Sequence, residues 1–154
     1  MAKKYLDEVG LNYFWAKVKA YVDSQSGGGG SEADYVSSQG TQTVTYTDGA
    51  NTGATATWYY RKWDSGWCEC WGVFNMSSSA SSTTKSATIP LPFTFANANY
   101  HVQGTQAILT NSLAAGGVRV ASKTTTNFGA RMTLTTASTS SIPVDFYVRG
   151  MLSV

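Results

Sequence analysis

Residues 57–74 read TWYYRKWDSGWCECWGVF and hold four of the chain's five tryptophans and both of its cysteines. Around Asp64-Ser65-Gly66 the stretch predicts a β-hairpin, with glycine taking the left-handed position that closes a three-residue turn. If Trp63 and Trp67 are the last opposed pair, Arg61 faces Glu69 and Tyr59 faces Trp71, and these six side chains share one surface. The other surface then holds Lys62, Tyr60 and Trp58 across from Cys68, Cys70 and Gly72. Glycine opposite Trp58 leaves space for an indole, as suits a packed inner face.

A hairpin with two apolar sides needs a cover on both, whereas an ordinary half-buried hairpin needs one. Another layer of the same domain, a partner subunit and a ligand are the candidates for the second cover. Aromatic rings bury large areas and favour strands, so simple packing of most of these rings is the baseline expectation.

The flanking chain is unusual in charge. Only 13% of its 154 residues are Asp, Glu, Lys or Arg, about half the usual share, so the surface must be polar but largely neutral. The formal net charge of +2 comes from scattered residues, with no basic run able to track a phosphate backbone, so nucleic acid is not expected as a partner. Met1-Ala2-Lys3-Lys4 is followed by Tyr5, Asp7 and Glu8 instead of an apolar core, so no secretion signal is expected and folding is assigned to a cytoplasm. No apolar run is long enough to cross a bilayer, and no membrane insertion is expected. Cys68 and Cys70 fall on one strand face two residues apart, a separation that does not suit a disulfide between them. They read as small buried apolar groups, because a lone C-x-C with one distant histidine supplies too few metal ligands.

Residues 6–24, LDEVGLNYFWAKVKAYVDS, carry the one convincing helical pattern. Leu11, Phe14, Val18, Tyr21 and Val22 recur at spacings of three and four, drawing an apolar stripe that Trp15 widens. A helix of this length is marginal alone, so it must dock on the β-domain, on copies of itself or on another protein. Gly and Ser residues then make a flexible break at 24–30. The predicted organisation is an N-terminal helix at 1–26 for attachment or oligomerisation, a Gly/Ser-rich linker with an approach strand at 43–47 within 27–55, and a β-domain at 56–154.

Beyond the hairpin, Ile89-Pro90-Leu91-Pro92-Phe93 demands an edge or irregular strand because of its two prolines. Residues 100–109 and a run opening at Val118 follow as strands. Phe128, Ala130, Met132 and Leu134 alternate with polar neighbours, as do Ile142, Val144, Phe146 and Val148. Arg131 and the set Asp145, Tyr147 and Arg149 therefore turn outward. Roughly seven to nine strands fit into 56–154. The expected fold is mainly β, an antiparallel β-sandwich, jelly-roll-like or related, preceded by one N-terminal helix.

Nothing in the chain assembles a catalytic centre. A nucleophilic triad needs a base, and His101, the only histidine, carries no mark of activation. Glycoside hydrolysis needs two carboxylates across a cleft. Of the three in 56–154, Glu69 is accounted for by Arg61, and Asp64 by its turn. Residues 27–30 lack the Lys-Ser/Thr of a phosphate-binding loop. No enzyme activity, cofactor or metal is expected.

The opening Tyr5-Leu6-Asp7-Glu8-Val9-Gly10-Leu11 with Phe14-Trp15-Ala16-Lys17-Val18-Lys19 is similar to the N-terminal segment of tail and baseplate-associated fibre proteins of phages. The β-domain resembles the C-terminal domain of phage tail fibre proteins: a strand ending in Arg61-Lys62-Trp63, the turn Asp64-Ser65-Gly66, and a strand closing in Trp71-Gly72. The later Ile89-Pro90-Leu91-Pro92-Phe93 and the terminal Phe146-Tyr147-Val148-Arg149-Gly150 match the same layout. The resemblance implies a homotrimer in the virion tail, attached to other tail or baseplate proteins through the N-terminal helix and binding host surface polysaccharide or teichoic acid. The chain is short for a fibre and lacks an extended shaft, which suits a fibre tip or a small baseplate protein. A virion adaptor or decoration protein with no external ligand is the alternative.

Trp67, Tyr100, His101, Asp145, Tyr147 and Arg149 are the candidate ligand-binding residues, since polar ligands such as sugars are held by an aromatic platform with a few placed hydrogen-bonding groups. Leu11, Phe14, Val18, Tyr21, Tyr59, Trp63 and Trp71 are the candidate interface or packing residues, because repetition by symmetry lets a short chain cover its own exposed surface.

Overall fold

The computed structural model describes residues 15–18, 34–106 and 117–153. It divides the chain into two compact units, Met1–Asp34 and Tyr35–Val154. In the first, residues 15–18 are helical and Val18 is half-buried. Leu11, Phe14 and Tyr21 lie outside the described residues.

The second unit is an antiparallel β-sandwich whose described residues form eight strands: β1 (Val36–Thr45), β2 (Thr55–Trp63), β3 (Trp67–Met76), β4 (Ser82–Pro90), β5 (His101–Gln106), β6 (Arg119–Lys123), β7 (Asn127–Ser138) and β8 (Ile142–Met151). A five-stranded sheet has the order β1-β2-β3-β8-β5, and a three-stranded sheet the order β4-β7-β6. The approach strand is longer than its sequence pattern indicated. It pairs with β2 from Val36 opposite Trp63 to Thr45 opposite Thr55, so the compact unit starts at Tyr35, well before residue 56.

The hairpin has the register read from its sequence, with Tyr59 opposite Trp71, Tyr60 opposite Cys70, Arg61 opposite Glu69 and Lys62 opposite Cys68. Gly66 closes it at φ 85°, in the left-handed region that glycine reaches without steric cost. Its N–H donates to the Trp63 carbonyl at 3.0 Å. The reason for Gly72 differs from the expectation. A Cβ there would sit 2.5 Å from the Thr57 carbonyl oxygen and 3.1 Å from the Phe74 ring, so glycine admits the β2 backbone and not an indole. Trp58 instead packs on Phe74, ring centroids 4.4 Å apart.

Period-two alternation sends one row of each strand into the core. Trp58, Cys68, Cys70, Phe74, Met76, Val144, Phe146 and Val148 come from the five-stranded sheet, and Ile89, Phe128, Ala130, Met132 and Leu134 from the three-stranded sheet. Phe128 and Phe146 meet edge to face across the layers at 5.1 Å. Trp58 Nε1 donates to the Pro90 carbonyl at 2.8 Å, which satisfies the one polar atom of a fully buried indole. Pro90 ends the edge strand β4, where its missing N–H interrupts no ladder.

The charged residue hidden in this core is Lys85, at 0% exposure. Its Nζ donates to Ser78 Oγ at 2.7 Å and to the Ser138 carbonyl at 2.6 Å. Burial pushes its pKa below the ordinary lysine value, as expected for an ammonium held by neutral oxygens. Cys68 and Cys70 are both buried and free, with sulfurs 3.6 Å apart. Their mutual hydrogen bond, followed by burial, pushes the Cys70 thiol up. No described helix is long and apolar enough to cross a membrane.

Candidate functional site

The outer face of the five-stranded sheet collects most of the candidate residues. The ladder places side chains of successive strands in rows, and here the rows run across the whole sheet. One row is Thr41, Tyr59, Trp71, Tyr147 and Gln103. The next is Gln39, Arg61, Glu69, Arg149 and His101. On the other side of the aromatic row lie Val73, Asp145 and Thr105.

Tyr59 and Trp71 stack, ring centroids 6.1 Å apart and planes 15° from parallel. The Arg61 guanidinium lies 5.5 Å from the centre of the Trp71 ring, a cation–π distance that holds both side chains in place. Burial raises the Tyr147 pKa, and the Glu69 carboxylate that accepts from its hydroxyl raises it further, against the opposing Arg149 charge and hydrogen bond. The aromatic row is thus fastened on both sides by the charged row. Beside it, Tyr59, Trp71, Val73, Gln103, Asp145 and Tyr147 line a depression of about 360 Å³. Tyr59 is 51% exposed and Val73 52%, so both stand open to solvent on this face.

A second cleft, of about 530 Å³, opens at the end of the same face. Trp67, His101, Arg149 and Met151 line it together with Asn97 and Asn99 of the preceding loop. His101 is directly opposite Arg149 on adjacent strands.

The structure therefore brings Trp67, His101 and Arg149 into one cleft, and Asp145 and Tyr147 into the neighbouring depression. Tyr100 is placed differently. It is 3% exposed, its ring packs on Phe95 at 4.8 Å, and its hydroxyl donates to the Asn127 carbonyl at 2.8 Å. It nevertheless contributes to the lining of the second cleft. Trp63 is half-buried at the end of β2, opposite Val36. Tyr59 and Trp71, read as interface or packing residues, stand in the aromatic row.

Sequence reasoning missed Gln103, Thr105, Asn97 and Asn99. The polar alternation of β5 was a usable signal for the first two, but their partner β8 lies some forty residues on, and only the pairing shows which face they join. The two asparagines sit in a loop whose position no periodicity encodes. Among the described residues no three His, Cys, Asp or Glu side chains cluster to hold a metal. Comparison of the chain with protein-family models, with curated proteins and with solved structures finds no match.

Proposed function

We propose that this chain is a receptor-binding component of a phage tail fibre or baseplate, and that the outer face of its five-stranded sheet holds a host cell-surface glycan. The single observation that carries the binding reading is the row of exposed Tyr59 with half-buried Trp71 and Tyr147, flanked by Arg61, Glu69 and Arg149 on one side and by Asp145 and Thr105 on the other. Pyranose rings present apolar C–H patches rimmed by hydroxyls, so flat aromatic rings beside Gln103, Asp145 and Arg61 match them in both chemistry and spacing. The phage assignment, the homotrimer and attachment through the N-terminal helix rest on the resemblance of the sequence motifs.

A second reading, the adaptor or decoration protein, is favoured by Val73 and Met151. These apolar side chains are 52% and 44% exposed on the same face and suit a protein neighbour better than a sugar. Two measurements separate the readings: binding of wild type and Tyr147→Ala to a glycan array and to host cells, and absolute mass by light scattering. Glycan binding lost in an assembled Tyr147→Ala protein supports the first reading. Absence of any glycan binding, with mass halved or cut to a third by Tyr59→Ala, supports the second.

A further inference from the structure

On the opposite side of the sandwich, Arg119 of β6 stands directly across from Arg131 of β7. Directly opposed side chains on adjacent strands have Cβ atoms about 4.5–5.5 Å apart, where like charges repel and destabilise the pair. Natural sheets normally relieve such a pair with a carboxylate, and this one has none within its own sequence. Residues 70–144 contain no Asp or Glu at all, while they include Lys85, Arg119, Lys123 and Arg131. All three strands of the smaller sheet fall in that interval. Asp48 reaches the far edge strand, where its Oδ2 accepts from the Thr88 hydroxyl at 2.8 Å, on the other side of β7 from Arg119.

Both arginines are exposed, and with Gly117 and Thr133 they line a cleft of about 360 Å³. Two arginines lining one cleft supply planar forks of N–H donors, the chemistry that recognises an oxyanion by paired hydrogen bonds. Gly117 adds no side chain to obstruct the approach. We infer that Arg119 and Arg131 form a binding site for a tetrahedral oxyanion of the phosphate type, either free or carried as a monoester. The site is on the sheet that does not carry the aromatic row, so it stands independently of the glycan reading.

The test is urea unfolding of the full chain at fixed ionic strength, with chloride replaced in turn by acetate, inorganic phosphate and glycerol 3-phosphate. A ligand that binds the folded state raises the midpoint progressively with its concentration. Wild type is expected to respond to phosphate or glycerol 3-phosphate and not to acetate. A larger response to the monoester assigns the site to a carried phosphate, and an equal response to the free ion. Arg131→Gln and Arg119→Gln should lose the response. Arg119→Glu should lose it too while unfolding at a higher urea concentration than wild type without phosphate, because it converts repulsion into attraction. Arg119→Lys, which keeps the charge without the fork, should bind roughly fivefold more weakly. Equal phosphate shifts in wild type and all variants would mean general exclusion of the salt from the protein surface and would overturn the site, as would no response in wild type. An equal effect of acetate would overturn the tetrahedral class.

Discussion

Tyr59 and Trp71 stand across from one another on adjacent strands with their rings nearly parallel, and Arg61, two residues along from Tyr59, covers the Trp71 ring. One side chain of this stack can be removed without opening the core, because Tyr59 faces solvent. We expect Tyr59→Ala to cost about 1 kcal/mol or less of stability while reducing glycan binding about tenfold. Trp71→Ala removes the surface on which both Tyr59 and Arg61 rest and should cost about 2 kcal/mol. Urea titration and affinity measurement on the same two proteins check both statements, and equal binding by wild type and Tyr59→Ala removes the ring from the site.

Gly72 is required by a backbone and Gly40 is not. An alanine at 72 drives its methyl into the Thr57 carbonyl, a group fixed in the sheet, and should cost about 3 kcal/mol. An alanine at 40 meets only the end of the Tyr60 ring, 3.3 Å from its hydroxyl oxygen, and a small rotation of that side chain relieves it. Gly40→Ala should therefore unfold within about 0.5 kcal/mol of wild type. Comparable losses at the two positions would show that the tight approach at Thr57 relaxes freely.

Lys85 gives stability a pH dependence of definite sign. Its pKa in the folded state is below the ordinary 10.5, so the unfolded chain holds the extra proton between the two values. Stability contributed at this site is complete above the unfolded pKa and declines as pH falls toward the folded one. Unfolding midpoints of wild type should rise as pH approaches 10.5 from below, and Lys85→Met should flatten that rise. An identical slope in the variant would place the titration elsewhere.

Two tyrosines act in the opposite sense at higher pH. Burial pushes Tyr46 and Tyr100 each up to about 12, against about 10 in an unfolded chain. Their contribution is complete below about pH 10 and is lost as pH rises toward 12, because the unfolded chain releases these protons first. Absorbance of tyrosinate should appear in two phases, the later one coinciding with unfolding. Tyr100→Phe should reduce the steepness of the alkaline loss.

The buried thiols should be inert. A thiol reagent is expected to modify neither Cys68 nor Cys70 in the folded protein, since both are fully covered and the Cys70 thiolate is disfavoured. Both should react on unfolding in urea, and rapid labelling of the native protein would contradict their place in the core.

The sequence made the hairpin register, the inward rows of β7 and β8 and the mainly β character legible, because each depends on alternation within a short window. In the sequence Lys85 is the lone charge between Glu69 and Arg119. Alternation alone gave no reason to put an ammonium inside, and its oxygen partners come from the β3–β4 connection and the far end of β7. The site was half legible for the same reason. Asp145, Tyr147 and Arg149 could be placed outward from their own strand, but their neighbours are set by β8 lying between β3 and β5. Long-range pairing of that kind leaves no local periodicity to read.

The central position of β8 also governs how the domain is made. The meander β1-β2-β3 is complete when Met76 emerges, yet its next neighbour begins at Ile142. At about 5–20 residues per second, synthesis of residues 77–141 takes roughly 3–13 s. Throughout that interval β3 presents an unpaired edge next to Phe74 and Met76, side chains destined for the core. A nascent chain in this state is a substrate for chaperones and for premature pairing with a neighbouring copy on the same messenger, and a translational pause within residues 77–141 would lengthen its exposure.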